Sequence, residues 1–321
     1  MKAIVVERFG GPMQRRDLPR PVPGDDEVLV RVHAASLNSW DWDIFSGNFQ
    51  GRIGSPFKPA HAVLGADIAG EIVDAGRAVT RFRPGDRVFG DLSGCGWGGL
   101  AEFATAKVDI LAAIPGGMSF TDAAAIPQAG LLALQGLRQG RLAAGQRVLI
   151  NGAGGGAGSF AIQIARAAGA EVTGVDSEMK LDFMRRLGAA HVIDYTAGDF
   201  ADSGAVYDVI LDMVFRRSTG RALKALAPGG RYVIVGGRSL PLLAAATLGA
   251  LAAKASGKSI GLLLHRPDAA DLEEMKRLYA EEKIRPAIDR IVPLAEAEAA
   301  LRHLGLGQTL GKVIVAVSSA A

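Results

Sequence analysis

The residues best suited to chemistry form a glycine cluster that follows a short apolar run. Residues 148–150 read as a strand and lead into the cluster at 152–158. Glycine permits a tight turn, lets backbone approach a bound group without an intervening Cβ, and lets a helix pack closely on a sheet. Gly155 and Gly158 occupy the second and third positions of the GxGxxG pattern, with Ala153 at the first. The cluster therefore predicts a dinucleotide-binding turn rather than a purely structural one.

A helix and a second strand complete this unit. We predict the helix over 159–168, where Gly169 is placed to stop it, and a strand over 171–175 that ends on Asp176. The first N–H groups of such a helix favour a phosphate. A carboxylate at the end of the strand can accept a hydrogen bond from a ribose 2′-hydroxyl and repel a 2′-phosphate. The turn residues expected to contact the cofactor are Gly155, Gly156, Ala157 and Gly158.

The composition favours a cytoplasmic globular protein with two domains. The chain has 321 residues, 49% of them hydrophobic, which is enough for substantial cores. Its net charge of +3 comes from scattered arginines without a basic run, so nucleic-acid binding is not expected. A single cysteine, Cys95, excludes an internal disulfide framework and a thiolate zinc cluster. The first ten residues lack the apolar core of a signal peptide.

The most apolar window lies at 240–253 and is followed by Lys254 and Lys258. It is shorter than the roughly 20 residues that span a bilayer. A buried or interface helix is therefore the favoured interpretation, and membrane association is the minor alternative.

Two patterns of predicted secondary structure divide the chain. Strand candidates separated by Gly/Pro turns, typical of a compact barrel-like domain, lie at 2–7, 27–35, 67–74, 87–90 and 100–105. From residue 119, helices and strands alternate, which predicts a parallel sheet with helices on both faces. The predicted helices there are 121–139, 180–187, 219–227 and 270–281, and the further strands 191–194, 208–212, 231–235 and 260–264. A last strand, 312–317, is expected to return to the N-terminal domain.

Several motifs, taken in order, resemble the medium-chain dehydrogenase/reductase superfamily, and within it the zinc-free quinone oxidoreductase (zeta-crystallin-like) branch. The motifs are AASLNSWDWDIFSG at 34–47, LGADIAGEIVDAG at 64–76, PGDRVFG at 84–90, AAAIPQAGLLALQGL at 123–137, the glycine turn, LGAAHVIDY at 187–195 and GKVIV at 311–315. The resemblance implies an α/β protein with an N-terminal GroES-like β-barrel domain and a Rossmann domain with a doubly wound parallel sheet. The implied bounds are 1–118 plus 286–321 for the first and 119–285 for the second.

The same resemblance predicts that no zinc is bound. Zinc-dependent relatives use a cysteine in the first motif, a His-Glu pair in the second and a cysteine before the nucleotide-binding stretch. The corresponding places here hold Asn38, Ala66-Asp67 and Pro127-Gln128. Catalytic zinc needs three N, S or O protein ligands. The chain's histidines, which show no metal-binding spacing, are His33, His61, His191, His265 and His303.

The resemblance places the N-x-x-D pair, Asn38 and Asp41, at the cleft between the domains. Asn38 is expected to donate to a substrate oxygen, and Asp41 to orient a proton-relaying water or the nicotinamide ribose. The alternative is that the pair caps a turn, which Asn and Asp do well. Some relatives carry tyrosines just beyond the pair, where this chain has Asp43 and Phe49.

The cofactor preference follows from opposing signals. Asp176 favours NAD(H), whereas three residues match family positions for the 2′-phosphate end of NADPH: Ser177, Lys180 and Tyr195. If Asp176 turns away from the cofactor, Lys180 can supply the charge that balances the 2′-phosphate; the alternative is that Lys180 is a solvated helix residue. The resemblance over the whole chain favours NADP(H) over NAD(H). The residues expected near the nicotinamide end are Gln128, Gly236, Gly237 and Arg238.

These inferences predict a zinc-independent NAD(P)H-dependent oxidoreductase. Hydride passes to a small electron-poor acceptor, a quinone or an α,β-unsaturated carbonyl compound, and the proton comes from solvent. Enoyl-thioester reduction and zinc-free alcohol oxidation are alternative reactions. A non-catalytic NADP(H)-binding sensor or partner protein is an alternative of another class, in which function survives Asn38→Ala and Asp41→Ala. Relatives commonly form homodimers through the nucleotide-binding domains, so a homodimer is expected, with the 240–253 window contributing to its interface.

Overall fold

The computed structural model describes residues 1–237, 245 and 249–318, and the chain divides into two compact units. Unit 1 contains Met1–Leu131, Arg266–Ala280 and Pro286–Ala321, and unit 2 contains Leu132–His265 and Glu281–Arg285. The predicted domain bounds stay a prediction; unit 1 includes residues 119–131 and 266–280, which those bounds assign to the second domain.

The strands of unit 1 are β1 (Lys2–Val5), β2 (Gln14–Asp17), β3 (Glu27–Leu37), β4 (Asp67–Ala75), β5 (Arg87–Asp91), β6 (Phe103–Lys107), β7 (Leu111–Ala113), β14 (Ile288–Pro293) and β15 (Lys312–Ala316). Those of unit 2 are β8 (Arg147–Asn151), β9 (Glu171–Asp176), β10 (His191–Asp194), β11 (Tyr207–Asp212), β12 (Leu226–Ile234) and β13 (Ser259–Leu262).

The α-helices in the described residues are α1 (Ser39–Ser46), α2 (Phe120–Ala125), α3 (Pro127–Gln139), α4 (Gly156–Ala167), α5 (Leu181–Leu187), α6 (Thr219–Lys224), α7 (Ala250–Ala255), α8 (Ala269–Ala280) and α9 (Ala297–Gly305). Helix α2 packs against β3 and β4, which explains why the first unit extends beyond residue 118. The helix predicted over 121–139 is two helices, α2 and α3, that meet at Pro127, because proline lacks the N–H that a continuous helix needs there. Within the described residues, no helix is long and apolar enough to cross a membrane.

The main sheet of unit 1 is built around the long strand β3. Its order is β14-β15-β3-β4-β5-β7, with β6 also paired to β3. Residues Val28, Val30 and Val32 of β3 pack into the core of the unit. The strand is not half-buried as predicted, because Leu29 and residues 34–37 are buried as well. Strand β15 pairs antiparallel with β3, with Ile314 opposite Ser36, so the C-terminal segment returns to this unit as predicted. The expected GroES-like fold is confirmed.

Three elements of unit 1 were not predicted from the sequence: β2, β14 and α9. Strand β2 has the sequence QRRD, all of it exposed, so it carries no alternation of apolar and polar residues that would indicate a strand. Strand β6 begins at Phe103 rather than at residue 100.

The sheet of unit 2 is parallel throughout its described strands, in the order β10-β9-β8-β11-β12-β13. The chain starts at β8, moves outward through β9 and β10, and then returns to add β11 on the other side of β8. This reversal creates a switch point between β8 and β11. In open α/β sheets generally, ligands bind at such a point, at the carboxyl ends of the strands. The expected Rossmann fold is confirmed.

Candidate cofactor-binding and catalytic sites

The glycine turn after β8 is tightly packed at Gly158 and open at Gly155. At Gly158 a Cβ would lie 2.3 Å from the carbonyl oxygen of Gly152, so only glycine lets α4 pack this closely on the turn. At Gly155 the nearest atom to a Cβ, the same oxygen, lies at 3.5 Å, which is ordinary contact. Gly155 directly precedes α4, whose first N–H groups have no partner within the helix. The open backbone and the helix N-terminus formed by Gly156 and Ala157 fit a cofactor pyrophosphate.

Asp176, at the end of β9, turns toward the glycine turn. One carboxylate oxygen accepts from the backbone N–H of Gly154 at 2.9 Å, and the other accepts from that of Ser177 at 2.9 Å. The ammonium group of Lys180 lies 3.6 Å from the second oxygen. Both side chains are buried, and the carbon chain of Lys180 covers Gly154, where a Cβ would lie 2.5 Å from Cδ of the lysine. Lys180 is therefore a buried counter-ion rather than a solvated helix residue.

Tyr195 follows β10 at the same edge of the sheet. Its backbone N–H donates to the carbonyl oxygen of Asp176 at 3.1 Å, and its side chain is 58% exposed. An exposed aromatic ring beside Asp176 offers a surface for the adenosine end of a dinucleotide.

The loops after β8, β11 and β12 converge at the carboxyl edge of the sheet. Met213 N–H donates to the carbonyl oxygen of Asn151 at 3.0 Å, and Phe215 N–H donates to that of Gly236 at 2.9 Å. Phe215 also forms an isolated bridge with Gly237. These contacts place Gly236 and Gly237 at the edge where the cofactor is predicted. Arg238 lies outside the described residues, as does most of the 240–253 window.

A buried carboxylate that the sequence analysis missed fixes this edge. Asp212 ends β11, opposite Asn151 in the register of β8. One oxygen accepts from the Asn151 amide at 2.7 Å; the other accepts from the Tyr232 hydroxyl at 2.5 Å and the Arg217 guanidinium at 3.0 Å. Burial raises the pKa of Asp212, and these donors oppose that effect. The signal available in the sequence was the pair of polar residues that end two apolar strands, Asn151 and Asp212.

In unit 1, Asn38 belongs to a buried charged cluster. Its amide nitrogen donates to Asp67 at 3.0 Å, and its amide oxygen accepts from the ammonium group of Lys312 at 2.5 Å. Lys312 also lies 3.3 Å from the same oxygen of Asp67. These side chains meet because Asn38 follows β3, Asp67 opens β4 and Lys312 opens β15, three strands that neighbour one another in the sheet. The orientation of the Asn38 amide is therefore fixed at both ends.

Asp67 accepts two further hydrogen bonds. The hydroxyl of Ser36 donates at 2.8 Å, and the backbone N–H of Gln128 donates at 2.9 Å. Burial raises the pKa of Asp67, and the charge of Lys312 opposes it. The Gln128 side chain is buried, and its amide nitrogen has no hydrogen-bond partner among the described residues. A buried hydrogen-bond donor without a partner lowers the stability of the fold, unless a bound ligand accepts the hydrogen bond.

Asp41 supports Asn38 from the first turn of α1. One of its oxygens accepts from the backbone N–H of Asn38 at 2.8 Å, and the other accepts from that of Gly65 at 2.7 Å. The side chain is fully buried, and burial raises its pKa to about 7. Asp41 thus joins the start of α1 to the loop before β4, an arrangement close to the capping alternative that the sequence left open.

Two family models match the chain. The model described as alcohol dehydrogenase GroES-like domain matches residues 24–116, and the one described as zinc-binding dehydrogenase matches residues 187–315.

Individual proteins are similar over almost the whole length. The chloroplast envelope quinone oxidoreductase homolog of Arabidopsis thaliana is 33% identical, with 98% of each chain covered. The mitochondrial NAD(P)H oxidoreductase RTN4IP1 of Mus musculus is 32% identical over 91% of this chain and 82% of its own. Among solved structures, the quinone oxidoreductase from Coxiella burnetii superimposes with a TM-score of 0.88 at 31% identity, covering 99% of both chains.

Proposed function

Because this chain belongs to the quinone oxidoreductase-like branch of the medium-chain dehydrogenase/reductase superfamily, we propose that it reduces quinones or α,β-unsaturated carbonyl compounds without zinc. It is an oxidoreductase that uses a nicotinamide cofactor. The bound NAD(P)H supplies the hydride. The protein's own task is to hold the cofactor and to polarise the acceptor.

The donor set around Asn38 supports zinc independence. The oxygens of Asn38 and Asp67 already accept from the ammonium group of Lys312, and Ala66 offers no donor where zinc-dependent relatives have histidine. A divalent cation here would have to displace a buried ammonium and would find too few ligands. No cluster of three or more His, Cys, Asp or Glu residues suited to a metal occurs in the described parts of the chain.

The observation that carries the proposal is the pair of buried amides, Asn38 and Gln128. Lys312 holds the oxygen of the Asn38 amide and Asp67 accepts one of the two N–H bonds of its nitrogen, so the second N–H is the one that we propose for the acceptor. The Gln128 amide nitrogen is a buried donor with no partner in the described structure. Fixed donors in a water-poor site stabilise the charge that grows on an acceptor oxygen during hydride transfer. We assign Asn38 to the acceptor oxygen, Gln128 to that oxygen or the nicotinamide amide, and Asp41 to positioning Asn38. The proton comes from solvent.

The charge around Asp176 supports NADP(H) over NAD(H). A free carboxylate at this place would repel a 2′-phosphate, but Asp176 is paired with Lys180 and engaged by two backbone N–H groups. The pairing leaves the strand end close to neutral. Ser177 and the exposed ring of Tyr195 then complete the surface for the 2′-phosphate and adenosine.

A homodimer and a cytoplasmic location stay predictions, as do the absence of nucleic-acid and membrane partners. Light scattering at micromolar concentration tests the dimer, and a monomer there would contradict it.

The deciding experiment is a paired titration with NADPH and NADH followed by fluorescence, with 9,10-phenanthrenequinone then added as acceptor. We expect NADPH to bind more tightly and to be oxidised rapidly, with unchanged turnover after treatment with a zinc chelator. Asn38→Ala and Gln128→Ala should each lower kcat about 100- to 1,000-fold, the range seen for loss of one such donor. Asn48→Ala, at an exposed asparagine, serves as the matched control.

Cofactor binding without oxidation by any acceptor would instead favour the sensor alternative. Binding of neither cofactor would overturn the proposal, and loss of activity after chelation would overturn zinc independence.

A further inference from the structure

Three aromatic residues cluster within unit 1, and one of them, Trp40, lies two residues after Asn38 in the chain. The Trp40 ring stands edge-on to that of Trp97, with centroids 5.8 Å apart at 87°. The His61 ring stacks on Trp97 at 5.5 Å and 18°. Trp40 lies in the first turn of α1, two residues after Asn38. We call Trp40, Trp97 and His61 the aromatic cluster.

Trp97 adopts a backbone conformation that disfavours a bulky residue. Its φ is 66°, in the left-handed region, between two glycines that share positive φ, Gly96 and Gly98. A non-glycine residue there costs about 1–2 kcal/mol, and such strain persists where the surroundings impose it and often where function uses it. The side chain is only 5% exposed and belongs to the hydrophobic core of the unit. Trp97 is thus a rigid base for the cluster.

The loop that carries Trp97 is tied to the segment that supports Asn38. Leu92 N–H donates to the carbonyl oxygen of Ala66 at 2.7 Å, and Gly99 N–H donates to that of Gly65 at 2.8 Å. Gly65 in turn donates to Asp41, which holds the backbone of Asn38. The segment 65–67 therefore positions both the aromatic cluster and the buried amide.

The cluster presents an uncharged aromatic face. Trp40 is 41% exposed although its ring rests against Trp97, so part of its surface is open to a ligand. Burial lowers the pKa of His61, which disfavours the charged imidazolium. An electron-rich indole stacks well on a planar, electron-poor ring and gains little from a small aliphatic acceptor.

We propose that Trp40, held by Trp97 and His61, is a specificity-determining residue that selects planar aromatic acceptors over small aliphatic enones by stacking on the ring. This inference rests on the proposed function, because it assigns the acceptor class of the same reaction. Asn38 and Gln128 are proposed to bind the carbonyl oxygen of the acceptor. Trp40 would bind the acceptor ring and would not touch that oxygen.

The test compares Trp40→Leu and Trp40→Phe with the wild type, using 9,10-phenanthrenequinone and 2-cyclohexen-1-one as acceptors. Phe57→Leu is the matched control, since Phe57 is a highly exposed aromatic residue outside the cluster. We expect Trp40→Leu to lower kcat/KM about three- to tenfold for the quinone and less than twofold for the enone, and Trp40→Phe to restore most of the loss. Equal losses for both acceptors, or no loss for either, would overturn the proposal.

Equilibrium dialysis of 9,10-phenanthrenequinone without cofactor separates this inference from the proposed function. Weaker binding to Trp40→Leu than to wild type and Phe57→Leu supports the stacking contact even if no acceptor is turned over. Unchanged binding overturns it even if turnover is rapid.

Discussion

Each unit of this protein contains a buried Asp–Lys pair, and the two pairs are built differently. In unit 1, Lys312 lies 3.3 Å from Asp67, and the partners are 245 residues apart in the chain. In unit 2, Lys180 lies 3.6 Å from Asp176, four residues away. The first pair is closed, because Asn38, Ser36 and the Gln128 backbone take the remaining positions around Asp67. The second lies against the open turn predicted to bind the cofactor.

This difference indicates different roles. A buried ion pair is weak as a source of stability, but removal of one partner leaves an uncompensated charge and is strongly destabilising. The pair Asp67–Lys312 therefore acts as a fixed internal frame for the Asn38 amide. The pair Asp176–Lys180 sits where a ligand's charge matters, so its main effect should be on which cofactor binds.

The largest expected effect comes from breaking the closed pair. Lys312→Met should lower the free energy of unfolding by about 3–5 kcal/mol, because Asp67 remains buried without a counter-charge. Urea denaturation measures this, and Lys312→Met combined with Asp67→Asn should recover most of the loss. As control, Arg77→Met breaks an exposed pair with Asp25 and should cost about 0–1 kcal/mol. If Lys312→Met and Arg77→Met lower the free energy of unfolding by the same amount, the pair Asp67–Lys312 is not the fixed internal frame described above.

A smaller effect concerns Asp41, which supports the closed cluster. Burial raises its pKa from 3.8 to about 7, so between these values the native state binds more protons than the unfolded state. Its contribution to stability therefore falls as pH rises through this window. Relative to Asp41→Asn, the wild type should lose about 2–3 kcal/mol between pH 5 and pH 8, as measured by urea unfolding at each pH. If the free energy of unfolding changes with pH in the same way for the wild type and Asp41→Asn, Asp41 does not titrate in this range. Asp25→Asn, at an exposed aspartate, is the control.

The smallest effect is expected for the open pair, on binding rather than on folding. Lys180→Met leaves Asp176 without its counter-charge, so the Kd for NADPH should rise about tenfold relative to the Kd for NADH, about 1.4 kcal/mol. Asp176→Ser should shift the ratio toward NADPH. Fluorescence titration of both cofactors gives the ratio, which a general loss of stability would not change. A constant ratio in both variants would show that this pair does not select the cofactor.

Much of the fold and half of the candidate site could be predicted from the sequence. Local patterns can be predicted from the sequence because their residues are neighbours in the chain. These patterns include the glycine turn, the alternation of strands and helices, and the strand that ends in Asp176. Lys180 was singled out by its match to a family position, and its pairing with Asp176 came only from the structure. The return of the last strand to unit 1 was also predicted correctly.

Only the tertiary structure decided which distant groups meet. Lys312 opens an apolar strand and carries no local sign of a role, yet sheet pairing brings it to Asn38 and Asp67. Asp212 and Tyr232 join across neighbouring strands in the same way. The periodicity of apolar residues indicates which face of a helix or strand is buried. Which side chains meet on that face depends on the strand order and the register of the sheet. The sequence by itself therefore determined the two folds and the glycine turn after β8, and the tertiary structure determined the charged cluster that holds the Asn38 amide.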